Sequence, residues 1–305
     1  MYLADRIAQW TTPLTVDLRG KEWTLPGVSG FAERVSQCAV RYVLMEDVHE
    51  ACCQLAERWS DLLDPANPLL RAPLEQTWAE WRDPETAEQI GVLIEAAEKG
   101  RAGSLRIFWT RGGVVDVAQA DIAFDFDRPL DFVQTFGQPR YALRALPPAF
   151  AGLKRHLSLT LDEEWQAYFR STELGAQGLP EASSLCGENL WRDVIRTLAF
   201  FILVASRLPL IERPVERTRL NAYRIKAGRK PLLDHVEIRI GQAASQRSGQ
   251  DGEADGGGSR KYPRLHMVRG HLVRRRDNIF WRTAHVRGGG SSDLPMPATR
   301  VARMG

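Results

Sequence analysis

Cysteine is scarce in this chain of 305 residues, and what there is forms no framework. The four cysteines are Cys38, Cys52, Cys53 and Cys186. Two of them are adjacent, which suits no disulfide ladder, and no C-x-x-C pair offers zinc spacing. The pattern reads as intracellular, with reduced thiols. Long apolar runs are lacking too. The longest, "LAFFILVA" from Leu198 to Ala205, is eight residues, whereas a membrane span needs about 20. No membrane partner is expected, and that run reads as the buried part of a core helix. The opening "MYLADRIAQW" carries charged and polar residues where a secretory leader has an apolar core. There is no G-x-G-x-x-G and no G-x-x-x-x-G-K-[ST], so neither phosphate cradle is present. There is no G-x-S-x-G elbow either. No cofactor is expected.

What remains is ordinary in bulk and uneven in distribution. Hydrophobic residues make up 44% and charged residues 26%, enough apolar content to build a packed core rather than a disordered chain. The length suits one large or two modest domains. The net charge of +3 hides a split. Residues 1–200 carry a net charge of about −9, and residues 201–305 about +12. Such asymmetry suggests that the C-terminal part meets an anion, most often nucleic acid. Arginine dominates there, and its planar fork suits phosphates and base edges. The acidic part offers a surface for a protein partner.

The periodicity predicts an α+β fold: helices with an antiparallel β-meander, plus a small C-terminal basic helix–β-sheet unit. Helical spacing runs through Val35, Ala39, Tyr42, Met45, Val48, Cys52, Leu55 and Trp59, predicting one helix from Ala32 to Leu63. "DPANP" breaks it. Residues 76–131 change period and read as strands, with "RGG" at Arg111–Gly113 as a hairpin turn. Asp121, Ala123, Asp125 and Asp127 share one face, and Ile122, Phe124 and Phe126 the other. From Leu159 to about Arg207 the pattern is helical again, with Thr160 and Asp162 as cap candidates. Residues 212–230 read as a basic helical segment, and "PLLDHVEIRIG" as a strand. The domain reading is an acidic α+β region over 1–208, a basic helix–strand unit over 209–288 with a flexible insertion at 241–260, and a disordered tail over 289–305.

The chemistry is expected in the basic unit. "RLHMVRGHLVRRRDNIFWRTAHVRG" holds seven arginines, three of the chain's six histidines and one acid. Arg264, Arg269, Arg274, Arg275, Arg276, Arg282 and Arg287 are candidate phosphate contacts, with Trp281 as a stacking ring. His266, His271 and His285 are candidate acid–base groups for a metal-independent ribonuclease, one imidazole deprotonating a 2′-hydroxyl and another protonating the leaving oxygen. That chemistry needs two imidazoles within one phosphate's reach. His266 and His271 are five apart, on opposite faces of a regular strand unless a bulge intervenes at Gly270. A face bearing His271, Arg269, His285 and Arg287 is geometrically allowed, and His235 on the preceding strand is a further member. A zinc site is disfavoured by the surrounding arginines. The Asp121, Asp125 and Asp127 face is the wet side of a strand before it is a metal site, and the His49–Cys53 stretch is core packing before it is a ligand set. A virion or assembly role for the basic face is the third reading.

Twelve residues carry a resemblance. Asn221, Arg224, Gly228, Lys230, Pro231, His235, Arg264, His266, Arg269, Gly270, His271 and Trp281 follow the pattern of the ending of a set of uncharacterised bacteriophage and prophage proteins. These have a helix with Asn, Arg and Gly-x-Lys-Pro, a His-bearing strand, a variable linker, and Arg-x-His-x-x-Arg-Gly-His before a Trp-bearing strand. The resemblance covers about a third of the chain and implies a mobile-element origin and the cytosol of a bacterial host. Leu272 stands where those proteins often have an aromatic residue.

Overall fold

The structure, a computed structural model, describes residues 1–10, 14–18, 21–25, 28–130, 140–143, 145–171, 178–206, 208–241, 266–268, 271–275, 278–282 and 285–287. It has helices and a large mixed sheet, an α+β arrangement. In chain order the elements are α1 (Leu3–Ala8), β1 (Leu14–Leu18), β2 (Lys21–Leu25), α2 (Val28–Gln37), β3 (Val40–Leu44) and α3 (Glu46–Arg58), followed by a 3-10 turn, Ser60–Leu63. Then come β4 (Gln76–Arg82), β5 (Gln89–Ala96), β6 (Ala102–Arg111), β7 (Val114–Val117), β8 (Ala120–Asp125) and β9 (Tyr141–Ala142). A second 3-10 stretch, Pro148–Arg155, precedes β10 (Leu157–Leu161), α4 (Glu163–Ser171) and α5 (Gly178–Ala205). The last elements are β11 (Leu210–Val215), α6 (Thr218–Lys226), β12 (His235–Ile240), β13 (His266–Val268), β14 (His271–Arg275), β15 (Asn278–Arg282) and β16 (His285–Arg287).

Ten strands form one sheet in the order β11-β12-β3-β4-β5-β6-β8-β10-β9, with β7 paired to β6. The β12–β3 and β3–β4 pairs are parallel, and the β4–β5, β5–β6 and β6–β8 pairs antiparallel. One apolar cluster joins α3, α5 and one side of the sheet, with Leu198 to Leu203 all buried. A smaller one joins α1 and α2 to Trp78, Leu93 and Phe108. Each such fully buried large side chain contributes about 1.5–3 kcal/mol, so α5 is the main anchor. No described helix is long and apolar enough to cross a membrane.

The expected helix from Ala32 to Leu63 is helix–strand–helix instead. β3 interrupts it, because Val40, Tyr42 and Val43 favour an extended chain and neighbours wait on both sides. Tyr42, Val43 and Leu44 are buried in succession. A parallel strand covered on both faces loses the alternation that would mark it. The helical segment expected from Leu159 begins with strand β10, paired to β8. Asp162 does not cap; its carboxylate accepts from both Nη atoms of Arg106, at 2.7 and 2.9 Å. The basic helix expected over 212–230 is edge strand β11 followed by α6. Pro214 sits in that edge strand, opposite Val236, where a missing N–H is tolerated. The strand from His235 was expected in one small sheet with the later strands. β12 lies in the large sheet, and β13 to β16 form two separate ladders, β13–β16 and β14–β15.

Glu80 is the buried group that fixes α1. Its carboxylate accepts the first helical N–H groups, from Leu3 at 3.2 Å and Ala4 at 2.9 Å, and Trp78 Nε1–H at 2.8 Å. These satisfy orphan donors at the helix start. Desolvation opposes the charge and pushes the carboxyl up to about 7, although all three donors pull it down. The folded value exceeds the ordinary 4.5. The contribution is therefore complete below about pH 4.5 and is lost as pH rises through about 7, a difference on the order of 3 kcal/mol. We expect the wild type to lose stability relative to Glu80→Gln, read as the difference between their urea midpoints, from about pH 5 to pH 8. A difference that stays constant with pH would remove Glu80 from the account.

Candidate nucleic-acid interface

The β14–β15 ladder pairs His271 with Arg282, Leu272 with Trp281, Val273 with Phe280, Arg274 with Ile279 and Arg275 with Asn278. Alternation then sorts the side chains. Leu272 and Ile279 are buried in the main core, and Trp281 packs half-buried against it. On the other side Phe280 and Arg282 are exposed, and His271 and Val273 are half-buried. Two polar clamps seat the hairpin on the acidic part of the chain. Leu272 N–H donates to Gln54 Oε1 at 2.9 Å, a buried bond to the last turns of α3. Gln54 is itself held by Glu50, which accepts from Nε2 at 2.8 Å. Arg274 forms an ion pair with Asp61 in the adjoining 3-10 turn. Arg274, a candidate phosphate contact, is thus engaged inside the molecule.

Between α3 and this hairpin lies a cleft of about 920 Å³. His271 and Trp281 line it, with Glu46, Glu50, Arg58 and Arg239. It sits beyond the C-terminal ends of parallel strands β3 and β12, a position where open α/β sheets commonly hold ligands. Its charge is mixed: exposed carboxylates on the first turns of α3 face arginines on its last turn and on β12.

Two of the three candidate histidines, His266 and His285, occupy diagonal positions of one ladder, and the third lies in the other. His266 lies opposite Arg287 and His285 opposite Val268 in β13–β16, while His271 belongs to β14–β15. No two histidines are cross-strand partners among the described residues. Arg264, Arg269 and Arg276 lie outside the described residues. His235 does not join them. It is buried near the start of β12, with its ring 4.4 Å from that of Tyr2. Arg239, which reaches the cleft, is four residues on, about 13 Å by strand rise.

The remaining sequence candidates have structural employment. Asp121 pairs with buried Arg106 at 2.8 Å, and Asp127 with Arg101 at 2.6 Å. Asp125 accepts backbone N–H bonds from Asp127 and Arg128, closing the turn after β8. Among the described residues no group of three or more His, Cys, Asp or Glu side chains is arranged to hold a metal. His49 Nε2 and Cys53 Sγ are 3.8 Å apart on α3. Burial lowers His49 to about 4 and raises the Cys53 thiol, so both stay neutral rather than forming a thiolate–imidazolium pair. His49 stacks on Trp81.

The site residues that the sequence suggests lie on the later strands and not on α6, although α6 carries a signal of its own. Residues 217–233 hold six cations, Arg217, Arg219, Arg224, Lys226, Arg229 and Lys230, and no acid. None of the nine residues of α6 is buried. The helix is nevertheless tied down. Asn221 Nδ2–H donates to the Leu232 carbonyl and its Oδ1 accepts Leu232 N–H, each at 2.8 Å. Arg224 Nε–H donates to the Lys230 carbonyl at 2.9 Å. Gly228 turns the chain at φ +68, the left-handed conformation that glycine permits after a helix. Asn221, Arg224 and Gly228 are therefore the staples that present this helix.

Comparison of the chain with protein-family models, with curated proteins and with solved structures finds no match.

Gln54→Ala leaves the Leu272 N–H buried without its acceptor, a cost of about 1–3 kcal/mol. We expect equilibrium denaturation to show that loss and hydrogen exchange at Leu272 to speed up. Unaltered exchange would mean that the hairpin is seated by its apolar contacts alone.

Proposed function

We propose that this protein binds nucleic acid, with α6 and the loop behind it as its principal contact and the outward side of the β14–β15 hairpin, Arg282 and Phe280, as a secondary one. The observation that carries the reading is an acid-free run of six cations over residues 217–233, three of them on a helix with no buried residue. An ordinary solvated helix mixes charge signs, which gives it i,i+4 pairs and avoids self-repulsion. A one-sign patch is tolerated where a polyanion neutralises it and releases counterions on binding. In this reading the α+β frame with its antiparallel meander carries a C-terminal basic unit, α6 with the later strands. The setting is the bacterial cytosol, in keeping with the resemblance to phage and prophage proteins. The hairpin arginines contribute less than their number suggests, because Arg274 is held by Asp61. The ribonuclease reading keeps one pair, His266 and His285 at diagonal positions of β13–β16, and stands second.

Fluorescence anisotropy with labelled oligonucleotides in EDTA, across a salt series, tests this. We expect affinity to fall linearly on a log–log plot, and Arg219→Glu with Lys226→Glu to reduce the slope by about two phosphate contacts. Affinity that ignores salt, or survives that double variant unchanged, contradicts the proposal.

A further inference from the structure

The exposed surface of α6 is more than cationic. Tyr223 is 71% exposed, Ile225 61% and Leu220 45%. At about 100° per residue, Arg219, Tyr223 and Lys226 stand at i, i+4 and i+7 and share one stripe of the helix. Leu220 borders the stripe. Asn221 and Arg224, which hold the loop, fall outside it. The staples therefore fix one side of the helix to the protein and leave a cation–aromatic–cation row facing outward, about 10 Å long at 1.5 Å per residue.

Such a row distinguishes among polyanions. A duplex displays its phosphates outward and keeps its base faces stacked inside, so an exposed ring gains little from it. A single strand offers phosphates and base faces together, and aromatic side chains stack on those bases with little regard for sequence. An anionic membrane surface would use the cations and the apolar groups too, but it needs the apolar groups on one face. Ile225 is two residues beyond Tyr223 and so lies on the far side of the helix, which leaves only Leu220 beside Tyr223, too little apolar surface to insert.

We propose that the ligand of this surface is single-stranded nucleic acid, with a base stacked on Tyr223 and its flanking phosphates on Arg219 and Lys226. The inference rests on the nucleic-acid reading above and names the substrate class of the same surface.

The test uses the full chain and four labelled probes: a mixed-sequence single-stranded DNA, the RNA of the same sequence, the blunt DNA duplex, and phosphatidylserine–phosphatidylcholine vesicles. Wild type is compared with Tyr223→Ala, Tyr223→Phe and Lys226→Ala, variants of a helix with no buried residue, with circular dichroism to verify the fold. We expect at least one single strand to bind about tenfold or more tightly than the duplex. Tyr223→Ala is expected to weaken that binding by about five- to a hundredfold and leave duplex binding within about twofold, while Tyr223→Phe retains it. Lys226→Ala is expected to weaken every nucleic-acid probe. Equal binding of duplex and single strands, or equal losses for both in Tyr223→Ala, overturns the single-strand inference and leaves phosphate binding standing. Vesicle binding that depends on Tyr223, without nucleic-acid binding, overturns both readings in favour of a membrane surface. Binding to no probe at low salt overturns both outright.

Discussion

The parallel pairing of β12 with β3 is the constraint on which the arrangement of this molecule depends. Val236, Glu237 and Ile238 lie beside Tyr42, Val43 and Leu44, joining segments almost two hundred residues apart. Side-chain and backbone ties reinforce the seam. Met45 N–H donates to the Ile238 carbonyl at 3.1 Å, and Ile240 N–H to Asp47 Oδ2 at 2.9 Å. Arg41 Nε–H donates to the Asp234 carbonyl at 2.9 Å. Because β12 is locked in the sheet, what precedes it, α6 and its stapled loop, is presented at one end of the strand. The hairpin cleft opens at the other end.

The separation of charge along the sequence becomes contact in space. The acidic part supplies Asp61 and Gln54, and the basic part supplies Arg274 and the Leu272 N–H that they receive. The excess of arginine near the C-terminus is thus partly balanced within the fold, and an ion pair at a partly exposed site contributes at most about 1 kcal/mol. Residues 217–233 carry six further cations with no acid among them. A count of arginines by segment therefore misjudges where the anion-attracting surface is. What matters is which cations the rest of the chain leaves unanswered.

The residues divide by how local their signals are. The β6–β7 turn was legible because Gly112 and Gly113 both adopt positive φ, +53 and +82, as a two-residue hairpin turn requires. The alternation of Ile122 and Phe124 with Asp121 and Ala123 was legible because β8 is half covered. β3 was not, since burial on both faces removes alternation and its apolar residues happened to fit a helical repeat. Asp162 carried a capping signal, but Arg106, distant in sequence, claims its carboxylate. The docking of the hairpin left no trace in sequence, because Gln54 and Asp61 are single polar residues whose partners lie more than two hundred positions away. The α6 surface was half legible. Its charge was plain, but extending the helix back across Pro214 blurred which residues share a face.

The central claim is that α6 and its loop, rather than the Arg/His-rich hairpin, make the principal contact with nucleic acid. Hydrogen exchange read by mass spectrometry, with and without a saturating single-stranded oligonucleotide at low salt, tests it most directly. The account predicts slowed exchange over residues 217–233 and unchanged exchange in β5 and β6. Protection confined to the β14–β15 hairpin, with α6 unaffected, would contradict it.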